Sequence, residues 1–169
     1  MTDRRTAPWE SDLPRRTGWR PPASIMAGSA LTVLPVVASV PLLPPAGLLM
    51  LLGWRLTRAD LLPRWAPPLL GLFDDLLSGQ PPGSAMLLWA LCVLGIDVLD
   101  TRLVWRDFWQ NWLIAAAAIG FCLIAGRLLA TDFTAHVDSW LLIQIVVSIA
   151  CFPLAARLCA ALDTPARDR

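Results

Sequence analysis

Residues 21–54 form a run of 34 positions without a charged side chain, and three more such runs follow: 76–96 with 21 residues, 108–126 with 19 and 139–156 with 18. An α-helix rises 1.5 Å per residue and needs about 20 apolar residues to cross a bilayer. Runs of this length predict an integral membrane protein. Only 16% of the 169 residues are charged, against about 25% in an ordinary soluble domain, which agrees.

Six segments are expected to be helical: 25–43, 46–56, 61–77, 83–103, 108–129 and 137–158. The pair Pro44 and Pro45 divides the first long run, because proline fixes its own φ, lacks a donor and restricts the residue before it. Pro63, Pro67 and Pro68 interrupt the third segment near its start. Its shortness is compatible with tilt, bending or shielding by neighbouring helices.

Arginine placement tests that number independently, since cytoplasmic loops are enriched in basic residues. All fourteen basic residues are arginines. Six spans with the N-terminus inside put thirteen of them on the inner side and only Arg127 outside. Fusing the first two segments gives 6 against 8, and omitting the second and third gives 10 against 4. The expected fold is therefore an all-α, six-transmembrane-helix bundle with both termini cytoplasmic. Residues 1–24 would be an arginine-rich cytoplasmic tail, 25–158 the membrane domain and 159–169 a second cytoplasmic tail. Because so much hydrophobic chain follows, residue 25 onward reads as a retained first helix instead of a cleaved signal peptide.

The tryptophans fit this map. Trp19, Trp54, Trp65, Trp105, Trp109 and Trp112 fall near the expected inner interface and Trp140 near the outer one, where amphipathic rings are favoured. Trp89 is left inside the fourth span as a packing residue.

Several chemistries lack their residues. Without lysine there is neither a phosphate-loop lysine nor a Schiff base. Cys92, Cys122, Cys151 and Cys159 lie in apolar runs with no CxxC pair, and read as small apolar fillers. His136, the only histidine, stands in an outer loop with Asp132 and Asp138, without the nucleophile or the ligand set that catalysis or zinc would need. No metal and no cofactor are expected, and nothing points to nucleic acid.

Three constellations remain. Asp74 and Asp75 stand at the outer end of the third helix, and intramembrane acids are read as functional or partner-holding by default. Adjacent helical residues point about 100° apart, so one is expected to face the bundle and the other the headgroups. Arg127, at the same expected depth, is a candidate ion partner for Asp74 or Asp75. Asp97 and Asp100 share a face by their i,i+3 spacing, and read as structural partners of Arg102 or other inner arginines; a membrane transferase built on this DxxD is the catalytic rival. Finally, Ser148, Cys151, Ala155 and Cys159 form a small-residue stripe on the sixth helix, with a shorter instance at Ala116 and Gly120. Such stripes let helix backbones approach closely, within the bundle or against a partner's helix.

The stretch from Gly71 to Gly83 resembles the rod-shape-determining protein family MreD, whose pattern G-L-x-x-D-L-L-S-G-x-P-x-G is met by Gly71, Leu72, Asp75, Leu76, Leu77, Ser78, Gly79, Pro81 and Gly83. Arg58, Asp60, Leu61, Leu62 and Pro63 resemble the family's lead-in. Ala59 stands where the family usually has proline, and Pro82 where leucine is frequent. The resemblance implies a non-enzymatic scaffold of the bacterial cell-elongation (rod) complex in the inner membrane, supporting peptidoglycan synthesis and cell shape. Its implied partners are the transmembrane helix of MreC, then MreB, RodA and a penicillin-binding transpeptidase directly or through MreC, with membrane lipid around it. The family's fold is similar to the substrate-binding subunits of energy-coupling-factor transporters, so a vitamin-binding subunit is the main rival. Short outer loops and few polar residues in the outer half argue against that rival. Within the motif, Gly79 and Gly83 would permit unusual backbone angles, Pro81 would stiffen the link, and Ser78 would satisfy a helix-end carbonyl.

Overall fold

A computed structural model of the chain describes residues 18–31, 44–58, 61–79, 81–102, 107–130 and 139–163. The described residues form six α-helices: α1 Arg20–Leu31, α2 Ala46–Thr57, α3 Ala66–Ser78, α4 Ser84–Arg102, α5 Phe108–Ala130 and α6 Ser139–Asp163. Each of the six expected segments overlaps one of them, but α1 already begins at Arg20, so residues 20–24 are helical and do not belong to the expected 1–24 tail. Three, α4, α5 and α6, are long and apolar enough to cross a membrane. The distal part of the expected first span (residues 32–43), most of both tails, Trp105 and the loop carrying Asp132, His136 and Asp138 lie outside the described residues.

Prolines set two of the boundaries. Expected from residue 61, α3 instead starts at Ala66, after a turn closed by the Ala66 amide on the Pro63 carbonyl. Pro67 and Pro68 then occupy the first turn, where a missing N–H costs no helical hydrogen bond. α6 passes through Pro153 and runs on to Asp163, beyond the expected limit at residue 158.

α2 is the shortest expected segment and the centre of the bundle. Nine of its twelve residues are buried, from Gly47 through Trp54 plus Leu56, and it packs on α1, α5 and α6. A helix apolar on every side belongs in an interior. Only 22% of the most apolar window of α5, and the same share of α6, is buried within the protein. Leu113, Phe121 and Ile124 of α5, and Leu142, Val146 and Leu154 of α6, are exposed instead. Apolar surface on this scale suits hydrocarbon.

The helices alternate in direction, and polar contacts identify the ends. Arg58 at the end of α2 meets Asp163 at the end of α6 at 2.7 Å, and Arg20 at the start of α1 donates to the Leu162 carbonyl at 3.2 Å. Arg55 of α2 pairs with Asp97 of α4 and stands 3.4 Å from Asp100. This is the arginine end. Trp19, Trp65 and Trp109 are exposed at helix starts near it, and Trp140 is exposed at the start of α6. Trp54, beside Arg55 at this end, turns inward: it is 1% exposed, and its indole N–H donates to Ser24 Oγ at 2.7 Å. Trp89 is buried packing, as expected.

Candidate functional site

The opposite end of the bundle carries the Gly71–Gly83 motif, and its residues build one hairpin. Gly79 ends α3 in the left-handed conformation at φ 67°, a conformation that costs glycine no Cβ clash. Pro81 and Pro82 follow, and Gly83 has φ 97°. The chain thereby reverses, and α4 begins at Ser84.

Asp75 locks that reversal. Its side chain is 2% exposed. It accepts the Gly83 amide at 2.9 Å, the Ser84 hydroxyl at 3.0 Å, the Ala85 amide at 2.9 and 3.1 Å to its two oxygens, and the Met86 amide at 3.2 Å. These are the amides that a helix N-terminus leaves without intrahelical partners. A carboxylate there also complements the positive end of the helix dipole. An N-cap ordinarily comes from the residue that precedes the helix; this one comes from the preceding helix, nine residues upstream of Ser84. It therefore fixes the packing of α3 on α4 as well as the start of α4.

Gly71 completes the contact one turn earlier. A Cβ at this position would stand 2.7 Å from the Ala85 carbonyl oxygen and 2.8 Å from the Met86 Cα. Backbone, which cannot rotate away, is what excludes a side chain here. Ser78, expected to tie the turn, is exposed, and the hydroxyl bound in the hairpin belongs to Ser84.

Asp74 faces the bundle too, so neither acid is the headgroup-facing one that the 100° offset led us to expect. It is Asp74, not the capping Asp75, that shares a cavity with Arg127. That cavity, about 220 Å³, also has Trp89 of α4 and Gln144 of α6 on its wall. The fully buried Ser29 of α1 and the Asp74 carboxylate both lie beside Gly47 of α2. Asp74 and Arg127 were expected at one depth, but a recess that Trp89 and Gln144 line with them was not. Its residues come from separate helices, and no linear spacing signals such a cluster.

At the arginine end Asp97 and Asp100 are engaged by Arg55, with Arg64 Nε 3.9 Å from Asp97. The expectation of structural pairing holds, with Arg55 as the main partner in place of Arg102. A second polar cavity of about 440 Å³ is bounded by Arg55, Arg64, Asp97, Asp100 and Thr101. A guanidinium already bridges the two carboxylates there. Among the described residues no group of three or more His, Cys, Asp or Glu side chains is gathered as a metal site.

The α6 stripe turns inward. Ser148 and Cys159 are fully buried and Cys151 and Ala155 partly so. A Cβ on Gly53 of α2 would stand 2.8 Å from Cys159 Sγ and 3.5 Å from the Ala155 carbonyl oxygen. Cys159 Sγ lies 3.8 Å from the Met50 carbonyl oxygen. Ala155 and Cys159 of the stripe thus lie against α2. Comparison with protein-family models, with curated proteins and with solved structures finds no match to this chain.

Proposed function

We propose that this protein is a non-enzymatic, six-span inner-membrane scaffold of the bacterial cell-elongation complex, which holds the transmembrane helix of MreC and supports peptidoglycan synthesis with MreB, RodA and a penicillin-binding transpeptidase. The observation that carries the reading is the division of labour inside the hairpin. Four residues matching the MreD-like pattern have separate physical tasks there: Gly71 admits the α4 backbone, Asp75 caps α4, and Gly79 and Gly83 take positive φ. Four spaced residues of the pattern that each serve one turn support the family resemblance on which the function rests.

In this reading the arginine end faces the cytoplasm and the Asp75 hairpin faces outward. The exposed apolar faces of α4, α5 and α6 meet lipid and the partner helix. The vitamin-binding rival gains one point from the Asp74–Arg127 recess. Its 220 Å³ is below the roughly 300 Å³ at which pockets for drug-sized ligands begin.

Affinity purification of the tagged protein from its native membrane tests the proposal. Recovery of MreC with wall synthases is expected. Recovery of an energy-coupling ATPase module in their place would overturn it.

A further inference from the structure

An apolar groove of about 510 Å³ opens between α1 and α6, over α2. Its floor is made by Leu49 and Met50 of α2, which are buried, and its rims by Leu31 of α1 and Leu154 and Leu158 of α6, which are 50%, 74% and 53% exposed. The hydroxyl of Ser24, the polar side chain on its wall, is already committed: it donates to the Pro21 carbonyl at 2.9 Å and accepts the Trp54 indole at 2.7 Å. The groove therefore offers water nothing to bind. Behind Gly28 it is closed, because a Cβ there would stand 3.1 Å from the Ala46 backbone.

A cation stands at one end of it. Arg20, one turn before Ser24, donates to the carbonyl of Leu162, and the Leu162 side chain lines the groove. That bond holds the guanidinium at the mouth. Arg20 is exposed, and among the described residues it makes this bond and no ion pair, so the rest of its five N–H donors remain for an anion. The nearby carboxylate, Asp163, is paired with Arg58 at 2.7 Å, which leaves the mouth with a net positive charge. Length separates the possible occupants. From Ser24 to Leu31 the groove follows α1 for about 10 Å at 1.5 Å per residue, against about 30 Å for a whole hydrocarbon core and about 15 Å for one leaflet. A crossing helix would run far beyond it; an acyl chain of the leaflet at the arginine end would not.

We infer that this groove holds one acyl chain of an anionic glycerophospholipid, with the chain along Leu49 and Met50 and the phosphate on Arg20. Basic groups at the cytoplasmic mouths of interhelical clefts recognise anionic headgroups in this way, and the unneutralised charge favours a net-negative lipid over a zwitterionic one. The inference needs the helices to be membrane-embedded but not the cell-elongation role, so partner capture and lipid retention can fail separately.

The test is native mass spectrometry of the full-length protein in detergent, titrated with phosphatidylglycerol or with phosphatidylcholine of the same chains. One retained phosphatidylglycerol is expected, bound about fivefold more tightly than phosphatidylcholine, the usual effect of one arginine at an anionic surface. Arg20→Gln keeps a donor for the Leu162 carbonyl but not the charge, and should bring the two lipids to parity. Ala27→Leu extends a side chain into the groove from an exposed position and should lower retention of both. Arg102→Gln, at the exposed end of α4 and outside this groove, should change neither. Equal affinities in the parent, a preference that survives Arg20→Gln, retention untouched by Ala27→Leu, or the same loss in Arg102→Gln overturns the inference. Ala27→Leu losing MreC while it retains phosphatidylglycerol like the parent assigns the groove to a protein helix and overturns it as well.

Discussion

Both carboxylate oxygens of Asp75 accept the backbone amide of Ala85, at 2.9 and 3.1 Å, across a turn bounded by two glycines of positive φ. The acid belongs to one helix and the amide to the first turn of the next. A side chain that the sequence marks as costly in a membrane is thus fully engaged by the protein's own backbone.

Removing that carboxylate should unfasten the α3–α4 hairpin. Asp75→Ala leaves the Gly83, Ala85 and Met86 amides and the Ser84 hydroxyl without this acceptor, and is expected to cost about 2–4 kcal/mol, from the range for caps and for hydrogen bonds to charged groups. Asp75→Asn keeps one acceptor oxygen and should lose less. Denaturant unfolding in micelles measures both; a change in Asp75→Ala below about 0.5 kcal/mol, the lower bound for a lost cap, would refute the capping role.

Gly71→Ala should be destabilising by about 1–3 kcal/mol, the usual cost of overpacking, because the new methyl meets the α4 backbone. Gly95→Ala and Gly120→Ala are the controls. A Cβ at either meets nothing within 4 Å, so alanine's better helix propensity should leave stability unchanged or raise it by up to about 1 kcal/mol. Thermal unfolding of the three variants side by side checks the ordering.

The two arginine contacts of α2 should differ in strength. Arg55 and Asp97 have side chains only 12% and 21% exposed, whereas Arg58 in the Arg58–Asp163 pair is 44% exposed. A double-mutant cycle on Arg58 and Asp163 is expected to give less than about 1 kcal/mol. The cycle on Arg55 and Asp97 should exceed it, at about 1–3 kcal/mol for a charge-assisted bond with little solvent screening. Equal coupling energies would contradict the burial difference.

Topology follows from the alternation of helix ends. In a cysteine-free background, Ser78→Cys should react with a membrane-impermeant thiol reagent added outside intact cells. Arg64→Cys, exposed at the arginine end, should react only after permeabilisation. Reporter fusions at Gln80 and His136 are expected on the outer side. Labelling of Arg64→Cys in intact cells, or fusions at Gln80 and His136 on the cytoplasmic side, would reverse or break the six-span arrangement.

Seating of α6 on α2 through small residues makes Ala155→Leu and Cys159→Leu overpacked. Both should lower the unfolding midpoint of the isolated protein, by about 1–3 kcal/mol in free energy. If these variants unfold like the parent and lose only partner capture, the stripe serves an intermolecular contact instead.

By itself the sequence determined the element pattern, because long uncharged runs, prolines and interfacial tryptophans act through local geometry and transfer energy. Pro44 and Pro45 marked the break before α2, and the i,i+3 spacing of Asp97 and Asp100 announced a shared face. It also drew attention to Asp75, since an acid in an apolar helix is costly wherever the chain goes. Tertiary structure decided what these residues face. Asp75 became a cap through amides that follow a chain reversal, Asp74 and not Asp75 came to share a cavity with Arg127, and Trp54 turned inward to a bond with Ser24 of α1. The short α2 became the centre because a helix apolar on all sides is stabilised only when neighbours surround it. Which neighbours those are depends on distances between separate helices, and linear spacing does not contain them.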